Sequence, residues 1–351
     1  MNDSYLSHRA DPLREMLEQF DGYIAAFRER SGLRVAGLTC DMLPAEIPAS
    51  LGLVPLRLPS FISGHCTCEG IAGIARIGKV YDFLVVPRRC AGRGSVPRLD
   101  VPLHEFPCPA GWGSDAARDL ERAIDDLLAA AGMPRLDRLD PGALRAVAGQ
   151  YNRLRRIVRG IYAARREKPE ALSHRDLAAV AEAAMVLPPD VIADPLAGLL
   201  EALRGSGGGG AGGVPTLVYS SFTDGSLLDE IEEAGCLVVE DDSCGGRRQF
   251  DLSHDLDSDR LAGEIMDAAT YRPLCPSVRP VSERAELFYK MLKGHGIELV
   301  VFIEDACCAA RARDIGELRV RLMRSGIDPL TVASSDAAAK VSEYVKRAGM
   351  R

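Results

Sequence analysis

One alternation constrains this chain more than anything else in it, and it occurs twice. In the first third, "LRVAGLTC" (33–40), "LPAEIPASLGLVPLRLP" (43–59), "CEGIAGIARIG" (68–78) and "YDFLVVP" (81–87) read as strand, helix then strand, helix, strand. From residue 214, "VPTLVYSS", "LLDEIEEAG" and "CLVVEDD" repeat strand, helix, strand. Helices near 257–269 and 282–294 then lead to "IELVVFIED" (297–305), and a helix (311–325), the strand "DPLTVAS" and a terminal helix follow. Strands separated by helices cannot form tight hairpins, so the pattern predicts parallel sheets with helices on their faces. The expectation is an α/β chain of two similar doubly wound, Rossmann-like domains, with an amphipathic helix over 10–31 in front.

Between the two halves the pattern becomes helical. "SDAARDLERAIDDLLAAAG" predicts a helix with Ser114 at its N-cap and Gly132 at its C-terminus. "DPGALRAVAGQYNRLRRIVRGIYAARRE" predicts a long helix, basic along one side, whose Arg153, Arg155 and Arg156 are expected in solvent. Two more helices are expected near 174–186 and 190–204. "GSGGGGAGG" (205–213) has almost no side chains to pack and predicts a mobile connector. The expected organisation is 1–112, an N-terminal Rossmann-like domain; 113–204, a helical segment; 205–213, a linker; and 214–351, a C-terminal Rossmann-like domain.

The chain carries 43 Lys and Arg against 50 Asp and Glu, a net charge of −7, which argues against a nucleic-acid partner. No apolar run approaches the roughly 18 residues of a membrane span. The N-terminus is charged and helix-like, without the basic start and apolar run of a secretory leader. A cytoplasmic protein is expected. The run "GSGGGG" lacks the lysine of a phosphate-binding P-loop, so ATP use by this chain is not expected.

Ten cysteines then need a reason, because disulfides are rare in a reducing compartment. Cys40, Cys108 and Cys236 read most simply as buried core or loop thiols. Others stand at strand ends. "YDFLVVPRRC" brings Cys90, and "IELVVFIEDACC" brings Cys307 and Cys308, to the end of corresponding strands, where parallel sheets bind ligands. Cys66 and Cys68 lie close together in "HCTC". With His65 they make a conceivable zinc knuckle, but no second pair follows.

These residues carry a resemblance to the 2-hydroxyacyl-CoA dehydratase family, which includes subunits of benzoyl-CoA reductase. "LPAEIPASLGLVPLRLP" resembles its early P-x-E-x-x-x-A segment, and "VVPRRC" its strand ending in P-x-x-C. "LDPGALRAVAGQYNRLRRIVRGIYAAR" is similar to its middle helices, with Asn152 and Arg153 in the expected places. "IEEAGCLVVEDDSCGGRRQF" and "LCPSVRPVSERAELFYKMLKGHGIELVVFIEDACC" resemble its second-domain segments. The resemblance covers nearly the whole chain.

It implies a [4Fe–4S] cluster held by three cysteines, here Cys68 or Cys66, Cys90, and Cys307 or Cys308. A helix start at Cys68 would favour a thiolate. It also implies a CoA thioester substrate and a separate ATP-hydrolysing activator that supplies one low-potential electron. In the dehydratases that electron turns the thioester carbonyl into a ketyl radical that expels a hydroxyl; in the reductases it goes to an aromatic ring. A homologous subunit in a heterodimer, or a homodimer, completes the enzyme. A related branch binds a double-cubane [8Fe–9S] cluster through six cysteines, for which Cys244 and Cys275 are further candidates. A non-catalytic partner subunit is the other alternative. His65 and Glu69, beside the cluster loop, are candidates for proton transfer. Many members carry Asp after each strand-end cysteine; this chain has Ala91 and Cys308.

Overall fold

The structure is a computed structural model that describes residues 7–40, 43–59, 80–88, 101–107, 113–207, 212–220, 225–271, 281–304 and 309–349. The helix expected over 68–78 lies outside them. The segment expected as one N-terminal helix is two, α1 (Ser7–Glu18) and α2 (Phe20–Ser31). Then come β1 (Arg34–Leu38), α3 (Glu46–Ser50), β2 (Leu53–Arg57), β3 (Phe83–Pro87) and β4 (Leu103–Phe106). Helices α4 (Ser114–Ala130), α5 (Pro141–Glu167), α6 (His174–Val186) and α7 (Pro189–Gly205) follow. The second half runs β5 (Val214–Tyr219), α8 (Gly225–Glu233), β6 (Cys236–Asp242), α9 (Leu261–Tyr271) and α10 (Val281–Gly294). It ends with β7 (Leu299–Glu304), α11 (Ala309–Arg324), β8 (Leu330–Ala333) and α12 (Ala337–Ala348).

The strands form two parallel four-stranded sheets, ordered β2-β1-β3-β4 and β6-β5-β7-β8. The orders are the same, so each sheet has its reversal point between equivalent strands, β1 and β3 or β5 and β7. Helices cover both faces, and the fold is α/β and doubly wound. Alternate strand residues feed opposite cores, as a period of two requires. Val35, Val54, Leu84 and Val86 enter one core of the first sheet, and Ala36, Leu53, Phe83 and Val85 the other. In the second sheet Val214, Val218, Val301 and Ile303 oppose Leu217, Tyr219, Val300 and Phe302. Gly37 is required where β1 meets β3: a Cβ there would lie 2.7 Å from Leu84 Cδ2 and 2.9 Å from Tyr81 Cγ.

The central helices are not a separate layer. Leu120, Ile124 and Leu127 of α4 pack on one face of the first sheet. Leu154, Val158 and Ile161 of α5, with α6 and α7, pack on the other beside α1 and α2. Helix α9, though it follows β6, also joins the first half: Leu261, Ile265 and Met266 share a core with Leu120, Ile124 and Leu127. The region from 214 onward is therefore not self-contained.

Local readings change at four places. Gly113, with φ 85°, occupies the cap position of α4, and Ser114 is its first residue without a side-chain cap. The strand β4 was not expected. Arg155 is buried, while Arg153 and Arg156 are exposed. Of the glycine-rich stretch, Gly205 belongs to the last turn of α7. Gly213 packs on β6, where a Cβ would come 2.8 Å from the Cys236 carbonyl carbon.

Candidate functional site

In open parallel sheets, ligands bind beyond the C-terminal strand ends, at the point where strand order reverses. In the first half that edge holds Thr39, fully buried, whose N–H donates to Val85 O at 3.2 Å, and half-buried Cys40. Arg88, exposed, follows β3 and sits 3.7 Å from Glu105 Oε2. Glu46, buried at the start of α3, pairs with Arg155, and His254 Nε2 lies 3.3 Å from its Oε1. Burial alone would raise the Glu46 pKa. The Arg155 charge and the His254 contact outweigh that and hold it well below the ordinary carboxylate range.

The corresponding edge of the second half is dense with charge. A bulge in β6 creates it: Thr216 pairs with Val238 but Leu217 with Glu240, so Glu240 and Asp241 are both buried instead of alternating. Glu240 is met by Arg166, by Arg247 Nη1 at 2.6 Å and by His295 Nε2 at 3.0 Å. Asp241 folds over the Gly246 turn, where a Cβ would come within 2.3 Å of its Oδ2. Asp242 pairs with Arg248. Burial would raise the Asp242 pKa, but Arg248, Arg311 and Arg284 together lower it.

Beyond Asp242, the Cys244 sulfur accepts from Arg248 Nη2 at 3.2 Å and lies 3.9 Å from Arg311 Nη2. Tyr219, the last residue of β5, donates its hydroxyl to Asp314, and Arg284 bridges the two, with Nη2 at 2.7 Å from the Tyr219 oxygen. The Arg311 guanidinium stacks 4.1 Å from the Tyr219 ring centre. Cys236, by contrast, is a core thiol whose pKa burial pushes up.

The residues singled out in the sequence divide sharply. His65, Cys66, Cys68, Glu69, Cys90, Cys108, Cys275, Cys307 and Cys308 lie outside the described residues. Among the described residues no three His, Cys, Asp or Glu side chains are grouped to hold a metal ion. The strands that lead to two of the cysteines are described. β3 ends at Pro87 and β7 at Glu304, equivalent strands in sheets of equal order. Cys90 and Cys307 each stand three positions further along the chain.

Residues 95–346 match the family described as 2-hydroxyglutaryl-CoA dehydratase, D-component. The chain belongs to that family. No curated protein matches it. The part of this dehydratase component that matches begins after Cys66, Cys68 and Cys90 and includes Cys244, Cys275, Cys307 and Cys308. Among the described residues no helix is long and apolar enough to cross a membrane. Sequence reasoning missed the roles of Glu46, Arg155 and His254. Their signal was present: Arg155 lies on the same stripe of α5 as Ala148 and Tyr162, spaced by seven, where a charge needs a buried partner.

Proposed function

We propose that this dehydratase component holds an iron–sulfur cluster at the C-terminal strand ends and acts on a CoA thioester, in the cytoplasm. The observation that carries the reading is the equivalence of β3 and β7, which lead to Cys90 and Cys307 by the same number of residues. The donor set fits the group: thiolates are the usual ligands of such clusters. Cys90 and Cys307, with Cys68 or Cys66, would hold a [4Fe–4S] cluster and leave one iron without a protein ligand. When bound, the cluster supplies an iron site for the thioester and a low-potential electron, delivered by an ATP-hydrolysing activator protein.

The chain's own residues do the rest. The proposed ligands come from both halves, Cys90 with Cys68 or Cys66 from the first and Cys307 from the second, so the site would be shared between them. His65 and Glu69, in the loop of Cys66 and Cys68, would hold and pass the proton that a leaving hydroxyl needs. A homologous subunit would complete the enzyme. A double-cubane branch is favoured by one observation: the half-buried Cys244 sulfur lies just beyond β6 at the same edge.

Anaerobic purification with iron and sulfide analysis tests the reading. About four irons per chain are expected for a single cubane, about eight for the double cubane, and none for a subunit without a cluster. Cys90→Ser and Cys307→Ser should each lose most of the iron while circular dichroism stays unchanged. Cys108→Ser should keep it. Full iron and an unchanged reduced EPR signal in Cys90→Ser would overturn the reading.

A further inference from the structure

Helix α5 carries a polar seam. Arg145, Asn152, Arg159 and Arg166 recur every seven residues, which keeps them on one slowly drifting face. Each binds β6 or the chain that leaves it. Arg166 pairs with Glu240. Arg159 Nη1 donates to Phe250 O at 2.7 Å and Leu252 O at 3.0 Å, and its Nη2 to Ser253 Oγ at 2.8 Å. Asn152 Nδ2 donates to His254 O at 2.8 Å while its Oδ1 accepts from His254 N at 3.0 Å. Arg145 Nε donates to Leu256 O at 2.7 Å.

Residues 251–256 have no regular structure, so their backbone groups need partners from elsewhere. The helix supplies them through side chains, in order, as the strap runs antiparallel to α5. A shift of the strap by one residue would break every one of these bonds. Its register on the helix is therefore specified.

At the Asn152 turn the strap meets the first half. Asn152 fixes the His254 backbone, the His254 ring touches Glu46, and Glu46 pairs with Arg155 one turn along from Asn152. Glu46 starts the helix reached from the end of β1, and the strap is reached from the end of β6. One turn of α5 thus ties together segments from the ligand-binding edges of both sheets.

We propose that Asn152 and Arg155 are positioning residues: through His254 and Glu46 they set the separation of the two strand-end edges between which a shared site is built. The clasp rests on the shared-site reading only for its purpose; its geometry is independent of any cluster. Asn152 leaves two buried backbone groups unpaired when truncated. Arg155 leaves a buried carboxylate without its cation, so it is tested with its partner removed as well.

The test is an inter-half distance measured on iron-free protein. Clickable non-thiol side chains at exposed Arg118 in α4 and Val320 in α11 take a fluorophore pair without touching the native cysteines. The parent chain should give one narrow distance distribution. Asn152→Ala and the neutral pair Glu46→Gln with Arg155→Met should broaden it and move it to longer distance, with helical content retained. Arg153→Ala, on the exposed face of the same turn, should leave it narrow. Unchanged distributions in both clasp variants, or equal broadening in Arg153→Ala, would overturn the proposal. Iron content, measured separately, should fall in the clasp variants. If the parent holds no iron, the cluster reading fails while the distance result still decides the clasp.

Discussion

The two sheets have the same strand order, yet they do not settle their charges alike. The second half closes part of its network within itself, Asp242 with Arg248 and Tyr219 with Asp314 and Arg284, all between residues 219 and 314, while Glu240 is also met by Arg166 on α5. In the first half, buried Glu46 finds both its described partners outside its sheet, Arg155 on α5 and His254 on the strap. Helix α9 repeats the dependence, since it continues the second half in sequence but fills a core of the first. A shared topology therefore does not confer shared autonomy. The first half is finished by chain that arrives from the second, and that crossing couples the two edges.

The largest expected effect breaks this comparison at Glu46. Arg155→Met strands a buried carboxylate, and such losses cost about 3–5 kcal/mol. Denaturant unfolding should show it as a lower midpoint. Adding Glu46→Gln should recover most of the loss, because the cost lies in the unpaired charge. A single variant that loses under about 1 kcal/mol, the size of an exposed pair, would mean that Glu46 is not held by a partner outside its sheet.

A smaller effect is expected in the network that lies wholly within the second half. Asp314→Ala deprives the Tyr219 hydroxyl and Arg284 of an acceptor, for a cost of about 2–3 kcal/mol. Arg284 still has Asp242 Oδ2 at 3.9 Å, so the network keeps a second acceptor. If Asp314→Ala costs as much as Arg155→Met, the second half has no such redundancy and the contrast between the halves disappears.

The parallel architecture was legible because strand–helix alternation is a local signal repeated over many residues. All eight strands among the described residues except β4 stand where apolar runs lie between helices. The four residues of β4, "LHEF", form an edge strand with mixed burial, too short and too polar to announce themselves. The charged contacts were less legible because they depend on which elements meet. "VVEDD" read as a strand end; that three consecutive acidic residues each have a separate use follows from a bulge that no periodicity encodes. The strand-end cysteines were legible as a pattern, since it needs only the distance along the chain from strand to thiol.

Acidification sharpens the comparison along another axis. His174 is buried beside Glu232, with Nε2 at 3.4 Å from Oε1, and burial lowers its pKa despite that carboxylate. The fold therefore disfavours its protonated form, so the unfolded chain binds the proton first and stability falls as pH drops below about 6.5. Glu46, Glu232 and Asp242 have lowered pKa values, because their cationic and hydrogen-bonding partners outweigh burial. Their contribution is complete above about 4.5 and is lost as pH falls further. Thermal midpoints should therefore decline in two stages. His174→Gln should remove part of the upper stage and leave the lower one intact. A variant that instead flattens the decline below pH 4.5 would reassign the acid sensitivity away from the carboxylates.

The smallest effect separates neighbours on one helix. "YNRLRRIV" reads as uniformly basic, and its arginines all look like solvent residues. The helix divides them. Arg155 follows Ala148 and precedes Tyr162 by seven, on a buried stripe, while Arg153 and Arg156 point away from it. Arg153 pairs with Asp194 at 2.5 Å, but the two side chains are 51% and 80% exposed. Water screens such a pair, and ordering two mobile side chains offsets much of the attraction, so it contributes about 0–1 kcal/mol. Arg153→Ala should therefore shift the denaturation midpoint barely beyond error, and less still in high salt. Arg156→Ala should do the same, and Arg155 should dominate the series. A loss above about 1 kcal/mol in Arg153→Ala, unchanged by salt, would mean that burial does not divide this helix. The clasp would then no longer be the one costly charge on that turn.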